Sequence, residues 1–165
     1  MLLKFEELPE SSHVWVYPSD RPLTEKELDS IKIRTAAFIS SWESHGTPVP
    51  ASFKILFDRF LVIAADESGF NVSGCSMDKS VHFLKELQNE LGIDFFNRTL
   101  LPFKSGNTIS FYKMTSVKSL IQEETIHEND IFLNTLVPTL KDLKNSFEIR
   151  AVDSFLAKYW PAKKS

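Results

Sequence analysis

Apolar residues recur along the first part of the chain with strand-like and then helix-like spacing. Residues 13–17, HVWVY, are aromatic and β-branched and are followed by PSDRP, which predicts a short strand. Thr24 and Glu27 match a capping box, so we expect a helix to begin there. Gly46 and Pro48 are expected to end that helix. Its apolar face is predicted to comprise Leu28, Ile31, Thr35, Phe38, Ile39 and Trp42.

The next patterns predict a hairpin, a second helix and a further strand. Residues 52–58 and 59–65 are apolar runs that fit the two strands of a hairpin. A helical stripe follows, ended by Gly92, and residues 108–114, TISFYKM, fit a strand. The resulting order, β-α-β-β-α-β, is that of the ferredoxin-like fold. The stripe of the second helix comprises Met77, Val81, Leu84, Leu87 and Leu91.

The rest of the chain predicts an extension on this core. A short helix, SVKSLIQEE, is followed by a strand, DIFLNTLV, and by another helix, TLKDLKNSF. The segment FEIRAVDSFLAKYW fits either a strand or a last helix. We therefore expect one α+β domain over residues 1–165, with its core at 13–114 and a C-terminal α/β extension at 115–165.

Composition narrows the classes of function. The 165 residues are 42% hydrophobic and 25% charged, which is typical of a globular domain, and the net charge of -3 argues against broad nucleic-acid binding. A single cysteine excludes an internal disulfide and zinc sites of several thiolates. No segment has the length and apolarity of a membrane helix. We expect a cytoplasmic protein without a cofactor, a bound metal, a nucleic-acid partner or a membrane partner.

One stretch, LVIAADESGFNVSGCSMDKS at 61–80, has features of an ATPase. An apolar run ends in two acids, and Gly69, Gly74 and Ser76 have the spacing of a phosphate-binding loop. However, Cys75 stands where that loop needs a lysine on the β- and γ-phosphates. We therefore expect no ATP hydrolysis. The alternative is a buried strand, a loop, and a helix with Ser76 as its N-cap and Asp78 in its first turn.

Several stretches resemble a family of small bacterial proteins often labelled "ABC transporter ATPase". The resemblance implies that label, but it implies no established reaction and no catalytic residues. The matching segments are VWVYPSDRPLT, WESHG, FDRFLVIAADES, SGCSMDKSVHFL, GIDFFNR and DIFLNTLVPTLKDL.

The predicted topology gathers a candidate catalytic group at one edge of the sheet. Cys75 would lie at a helix N-terminus, where a thiol becomes more reactive, with His45 as a base and Asp66 orienting it. The alternative is structural: Cys75 is a small buried hydrophobe, and His45 complements a helix dipole. The full set at this edge is His45, Asp66, Glu67, Ser73, Cys75 and Ser76.

The opposite edge would collect arginines. Arg21, Arg59 and Arg98 could bind a phosphate or carboxylate ligand through their guanidinium groups. Each also has an acid nearby in sequence, so mutual ion pairing is the alternative.

These observations favour a non-enzymatic cytoplasmic module that binds a protein or small-molecule partner. The alternative is a small hydrolase or transferase that uses Cys75 as its nucleophile. An enzyme of that kind needs a reactive thiol in an open pocket, whereas a binding module does not.

Overall fold

The protein has a mixed α+β structure with several antiparallel sheets. The computed structural model describes residues 1–69, 72 and 74–161. It divides into two compact units. Unit 1 comprises Met1–Phe96 and Leu136–Leu143, and unit 2 comprises Asn97–Thr135 and Lys144–Ser165. The single domain expected from the sequence stays a prediction.

Unit 1 is built on an antiparallel sheet of three strands. Its strands, in spatial order, are His13–Pro18, Phe60–Ala65 and Ala51–Leu56, and all six residues of the central strand are buried, so both of its faces are covered. The hairpin predicted at 52–65 is confirmed, with Phe57 and Asp58 at positive φ in its turn. The elements, in chain order, are β1 (His13–Pro18), α1 (Glu25–Ser41), β2 (Glu43–Ser44), β3 (Thr47–Pro48), β4 (Ala51–Leu56), β5 (Phe60–Ala65) and α2 (Gly74–Leu91).

Helix α1 begins as its sequence predicts and ends earlier. The Oγ1 atom of Thr24 accepts a hydrogen bond from the amide of Glu27 at 3.2 Å, and the Glu27 carboxylate accepts one from the amide of Thr24 at 3.0 Å. The helix then ends at Ser41. The short hairpin β2–β3 follows at once, and its two turn residues, His45 and Gly46, both have positive φ, as a type I′ turn requires. His45 therefore lies in a hairpin turn and not at the helix terminus.

The outer edge of β1 is occupied by a distant segment of unit 1. The amide of Val14 donates to the carbonyl of Pro138 at 2.9 Å, and the amide of Leu140 donates to the carbonyl of Ser12 at 3.0 Å. In the ferredoxin-like prediction this edge belongs to the strand at 108–114. That strand instead pairs with its sequence neighbour in unit 2, so the ferredoxin-like order is not confirmed. A short hairpin loses little loop-closure entropy, which favours the local pairing.

Unit 2 is built on an antiparallel sheet of four strands, which are, in spatial order, β7 (Thr108–Lys113), β6 (Leu100–Ser105), β8 (Ile131–Leu133) and β9 (Glu148–Arg150). Its core is formed by side chains such as Phe103, Val117 and Phe132. The predicted strand DIFLNTLV is limited to β8, and the ambiguous last segment forms β9 followed by two short 3-10 helices. The elements are β6 (Leu100–Ser105), β7 (Thr108–Lys113), α3 (Val117–Gln122), β8 (Ile131–Leu133), α4 (Leu140–Ser146), which crosses the division between the units, and β9 (Glu148–Arg150).

Within the described ranges, no helix has both the length and the apolar character needed to cross a membrane.

Candidate functional site: a groove between two helices

Helices α1 and α2 lie side by side and antiparallel in unit 1. The indole Nε1 of Trp42, which caps the C-terminus of α1, donates to the carbonyl of Ser76 in the first turns of α2 at 2.9 Å. At the other end, the guanidinium of Arg21, just before α1, donates to the carbonyl of Leu91, the last residue of α2, at 3.1 Å. Each helix therefore begins where the other ends.

A groove of about 740 Å³ runs between these two helices. Aromatic rings line it: Phe38 of α1 and Phe83 of α2 are stacked with their centroids 4.6 Å apart and their planes 2° apart. The Trp42 ring lies 5.3 Å from that of Phe38. The small side chains of Ala37 and Ser41 also face the groove and leave it open. The result is an apolar trough with aromatic walls.

The edges of the groove carry charges of both signs. Arg34 forms an ion pair with Glu90. The imidazole Nε2 of His82 lies 3.1 Å from the carboxylate Oε1 of Glu86, one helical turn further along α2. The edge charges near the start of α2 are Asp78 and Lys79, and neither side chain makes a hydrogen bond or ion pair with another described residue.

Cys75 lies at this groove, and its side chain is exposed. His45 is exposed in the β2–β3 turn, and Asp66 is half-buried. The carboxylate of Asp66 accepts a hydrogen bond from the amide of Ser68 at 2.9 Å. Neither His45 nor Asp66 lines the groove. Their catalytic roles stay predictions, and Ser73, another hydroxyl of the predicted set, lies outside the described residues.

Ser76 is not the N-cap that the sequence predicts, because α2 already begins at Gly74. The residue is 2% exposed, and its hydroxyl donates to the carbonyl of Glu43 at 2.6 Å. This bond joins α2 to the β2–β3 hairpin that carries His45. Asp78 is likewise the fifth residue of the helix and lies beyond its first turn.

The arginine edge is organised by internal contacts. Two nitrogens of Arg21 donate to the two carboxylate oxygens of Glu27 at 2.8 and 2.5 Å. These bonds, aided by the Thr24 cap, lower the pKa of Glu27 to about 2, and the same pair raises the pKa of Arg21. The partner of Arg21 is thus Glu27, and not the adjacent Asp20. An anionic ligand at Arg21 would have to compete with this bidentate pair.

The other two predicted arginines differ from Arg21 in their surroundings. Burial lowers the pKa of Arg59, and the negative charge of Asp20 opposes that shift. The Asp20 carboxylate also accepts a hydrogen bond from the amide of Asp94 at 3.2 Å, so these two acidic residues meet within unit 1. Arg98 belongs to unit 2 and is exposed. A ligand-binding role for the three arginines stays a prediction.

The groove cannot be found from the sequence of either helix alone. Phe38 is part of the predicted stripe of α1, but Phe83 lies beside the predicted stripe of α2 and has no predicted role in a site. The signal that could have indicated it is the pair of small residues, Ala37 and Ser41, next to an aromatic on the same helix face. Such a signal becomes specific only once the neighbouring helix is known.

Among the described residues, no group of three or more His, Cys, Asp or Glu side chains is placed to hold a metal ion. Comparison with known proteins yields no matching family model, no matching curated protein and no matching solved structure. The resemblance to the bacterial family therefore stays a hypothesis, and the function of this chain has to be inferred from the geometry of the groove.

Proposed function

We propose that this protein is a non-enzymatic cytoplasmic binding module whose binding site is the α1–α2 groove. The observation that carries the proposal is the open trough of about 740 Å³ walled by Phe38, Phe83 and Trp42. Ligand sites commonly have volumes of roughly 300–1,000 Å³, mostly apolar walls and a few polar groups. An apolar group of a protein or small-molecule partner would displace water from the apolar lining of the groove, where Ala37 is exposed and Phe38 is half-buried, and that displacement is favourable.

The proposal includes the kind of partner and the fold of the site. The net charge of -3 and the mixed charges at the groove favour a protein or a small molecule over nucleic acid or a membrane surface. We further propose that α1, α2 and the three-stranded sheet of unit 1 represent a ferredoxin-like arrangement whose fourth strand position is taken by residues 138–140. The β1-β5-β4 order and the bonds at the edge of β1 support this interpretation.

The test is the binding of anilinonaphthalene sulfonate, a dye that fluoresces in apolar sites. We expect one saturable site in the wild-type protein and loss of that site in Ala37→Trp, since an indole at position 37 would fill the groove. Ser40→Trp is the matched control, because Ser40 is exposed on the same helix and does not line the groove. Equal dye binding by both variants would contradict the proposal.

A second candidate, a hydrolase or transferase using Cys75, is favoured by one observation: the thiol is exposed in the groove. The discriminating measurement is the rate of alkylation of Cys75 by iodoacetamide as a function of pH. A catalytic thiol is expected to react as a thiolate near neutral pH, whereas an ordinary thiol gains reactivity only towards pH ~8.5. Slow labelling at pH 7 that rises only in that upper range would leave the binding module as the function.

A further inference from the structure

The surface beside the groove carries an apolar side chain that could fill it. Ile33 of α1 is 70% exposed, which is the highest exposure among the large apolar side chains that the structure describes. Ala37, four residues later, lies on the same side of α1 and lines the groove. A protruding isoleucine and an apolar groove thus share one face of unit 1.

We propose that the partner of the groove is a second copy of this chain. The two copies would be related by a two-fold axis that places Ile33 of each copy in the groove of the other. This inference rests on the proposed function, because it uses the same groove. A two-fold interface joins the same surface patch of both copies, so each patch must carry both halves of every contact. The face with Ile33 and the groove meets that requirement.

The charges at the groove support a second copy, because a two-fold rotation brings opposite signs together. Lys79 lies near the start of α2 and Glu86 lies seven residues later, about 10 Å further along the axis. A two-fold axis perpendicular to the helices makes α2 antiparallel to α2 of the second copy. Lys79 then faces Glu86 of the second copy, and the reverse pair forms at the other end.

A second pair of charges follows the same order. Asp78 lies beside Lys79 near the start of α2. Arg34 belongs to α1 but lies beside the end of α2, where it forms an ion pair with Glu90. The rotation places Asp78 opposite Arg34 of the second copy. A guanidinium has five N–H donors, so Arg34 can keep its bond to Glu90 and bind Asp78 as well. Both ends of the groove carry charges of both signs, so a partner whose own charges alternate in sign fits it better than a partner of a single sign.

The same rotation places Ile33 in the groove. Ile33 precedes Arg34 and therefore lies towards the end of α2 in its own copy. In the second copy it faces the opposite end of the groove, where Ser41, Trp42 and Cys75 line the surface. The isoleucine then lies against this end of the groove, next to the exposed side chain of Cys75.

The first experiment is charge reversal, measured by sedimentation velocity over a wide range of protein concentration. The wild-type protein is expected to dimerise, and Lys79→Glu or Glu86→Lys is expected to weaken the dimer by about tenfold, since symmetry places each change in the interface twice. The double variant should restore the dimer, because it exchanges the two signs of the pair. Lys85→Glu is the control, since Lys85 is exposed on α2 outside the groove.

The second experiment is a disulfide between copies. In Ile33→Cys, the thiol introduced at position 33 should form a disulfide with Cys75 of the second copy when diamide is added as the oxidant, which gives a covalent dimer. Lys32→Cys is the control, because Lys32 is exposed and its side chain points about 100° away around the helix. Ile33→Cys combined with Cys75→Ser should lose the covalent dimer.

The outcomes separate this inference from the proposed function. A protein that is monomeric at every concentration, a double variant as weak as the single variants, or covalent dimers equally formed by Lys32→Cys would each overturn the second copy as partner. If the dye still binds and Ala37→Trp still removes it, the groove remains a binding site for another partner. Dye binding is measured at a low protein concentration, where a dimer dissociates and leaves the groove open. If it also fails to depend on Ala37→Trp, the proposed function fails independently.

Discussion

Arg21 is the residue that joins the start of α1 to the end of α2. Its guanidinium binds both oxygens of Glu27, and one nitrogen also donates to the carbonyl of Leu91. The carboxylate of Glu27 serves the capping box at the same time, through Thr24. Arg21 and its ion pair with Glu27 therefore stabilise the N-terminus of α1 and the adjacent C-terminus of α2, the two helices that form the groove.

This arrangement predicts a pH dependence of stability. The pKa of Glu27 is lowered from 4.5 to about 2 in the folded protein. A folded-state pKa below the unfolded value stabilises the protein above pH 4.5, and the contribution is lost as pH falls towards about 2. Glu27→Gln, which can keep the bond to the Thr24 amide, is expected to lower the melting temperature at pH 7.

The difference in melting temperature between wild type and Glu27→Gln should then shrink between pH 4.5 and about 2. Glu25→Gln is the matched control, because Glu25 also lies in the first turn of α1 but is exposed. A melting-temperature difference that stays constant over this pH range would show that the carboxylate charge of Glu27 does not contribute.

At the scale of secondary-structure elements, the two ends of α1 follow different rules. Thr24 and Glu27 satisfy the first amides of the helix, so the start is a local event. The end depends on the β2–β3 hairpin, whose turn at His45 and Gly46 directs the chain back towards β4. The apolar spacing continues to Trp42, and the hairpin begins with the next residue.

Removing the cap at the start of α1 is expected to lower the stability of the protein. Thr24→Ala should lower the free energy of unfolding by about 1 kcal/mol, because the amide of Glu27 loses its acceptor. Thr24→Ser, which keeps a hydroxyl, should cost much less. Denaturant midpoints measure both effects, and equal midpoints for wild type and Thr24→Ala would show that the cap does not stabilise the helix.

The hairpin turn predicts a backbone effect. Gly46 has φ of +77°, and a Cβ added there would have no heavy atom within 4 Å, so an added methyl group would meet no neighbour but would strain the backbone. Gly46→Ala is expected to cost about 1 kcal/mol of stability. Gly69→Ala is the control, since that position is equally open and does not have positive φ. Chemical denaturation should show a larger loss for Gly46→Ala, and equal losses would contradict the strain argument.

At the scale of the whole molecule, the ATPase hypothesis requires a phosphate-binding loop ahead of α2. The Ser76 hydroxyl, which would bind magnesium, is buried and donates to the carbonyl of Glu43. The position of the required lysine is held by Cys75. Both observations weaken the nucleotide-binding interpretation of residues 61–80.

We therefore predict that the purified protein does not hydrolyse ATP. Phosphate release in the presence of magnesium should stay at the level of a blank without protein. Saturable, magnesium-dependent release that is abolished by Gly74→Trp would contradict this prediction, since it would assign the activity to this chain and to this loop.

The sequence by itself determined those features that depend on neighbouring residues. The capping box at Thr24, the hairpin at 52–65 and the positions of both helices of unit 1 follow from local spacing and side-chain chemistry, and the structure confirms them. The predicted N-cap at Ser76 is wrong, because Gly74 already begins α2 and Ser76 bonds a carbonyl outside its helix. A hydroxyl near a helix start has several possible acceptors, and packing selects among them.

The tertiary structure decided which distant groups meet. It paired the strand at 108–114 with β6, turned Arg21 towards Glu27, and stacked Phe38 on Phe83 to form the groove. Local spacing predicts that a side chain lies on an apolar face, but it does not indicate which element will cover that face. The groove exists because α1 and α2 pack side by side, so its shape and charges are properties of two helices and not of either one.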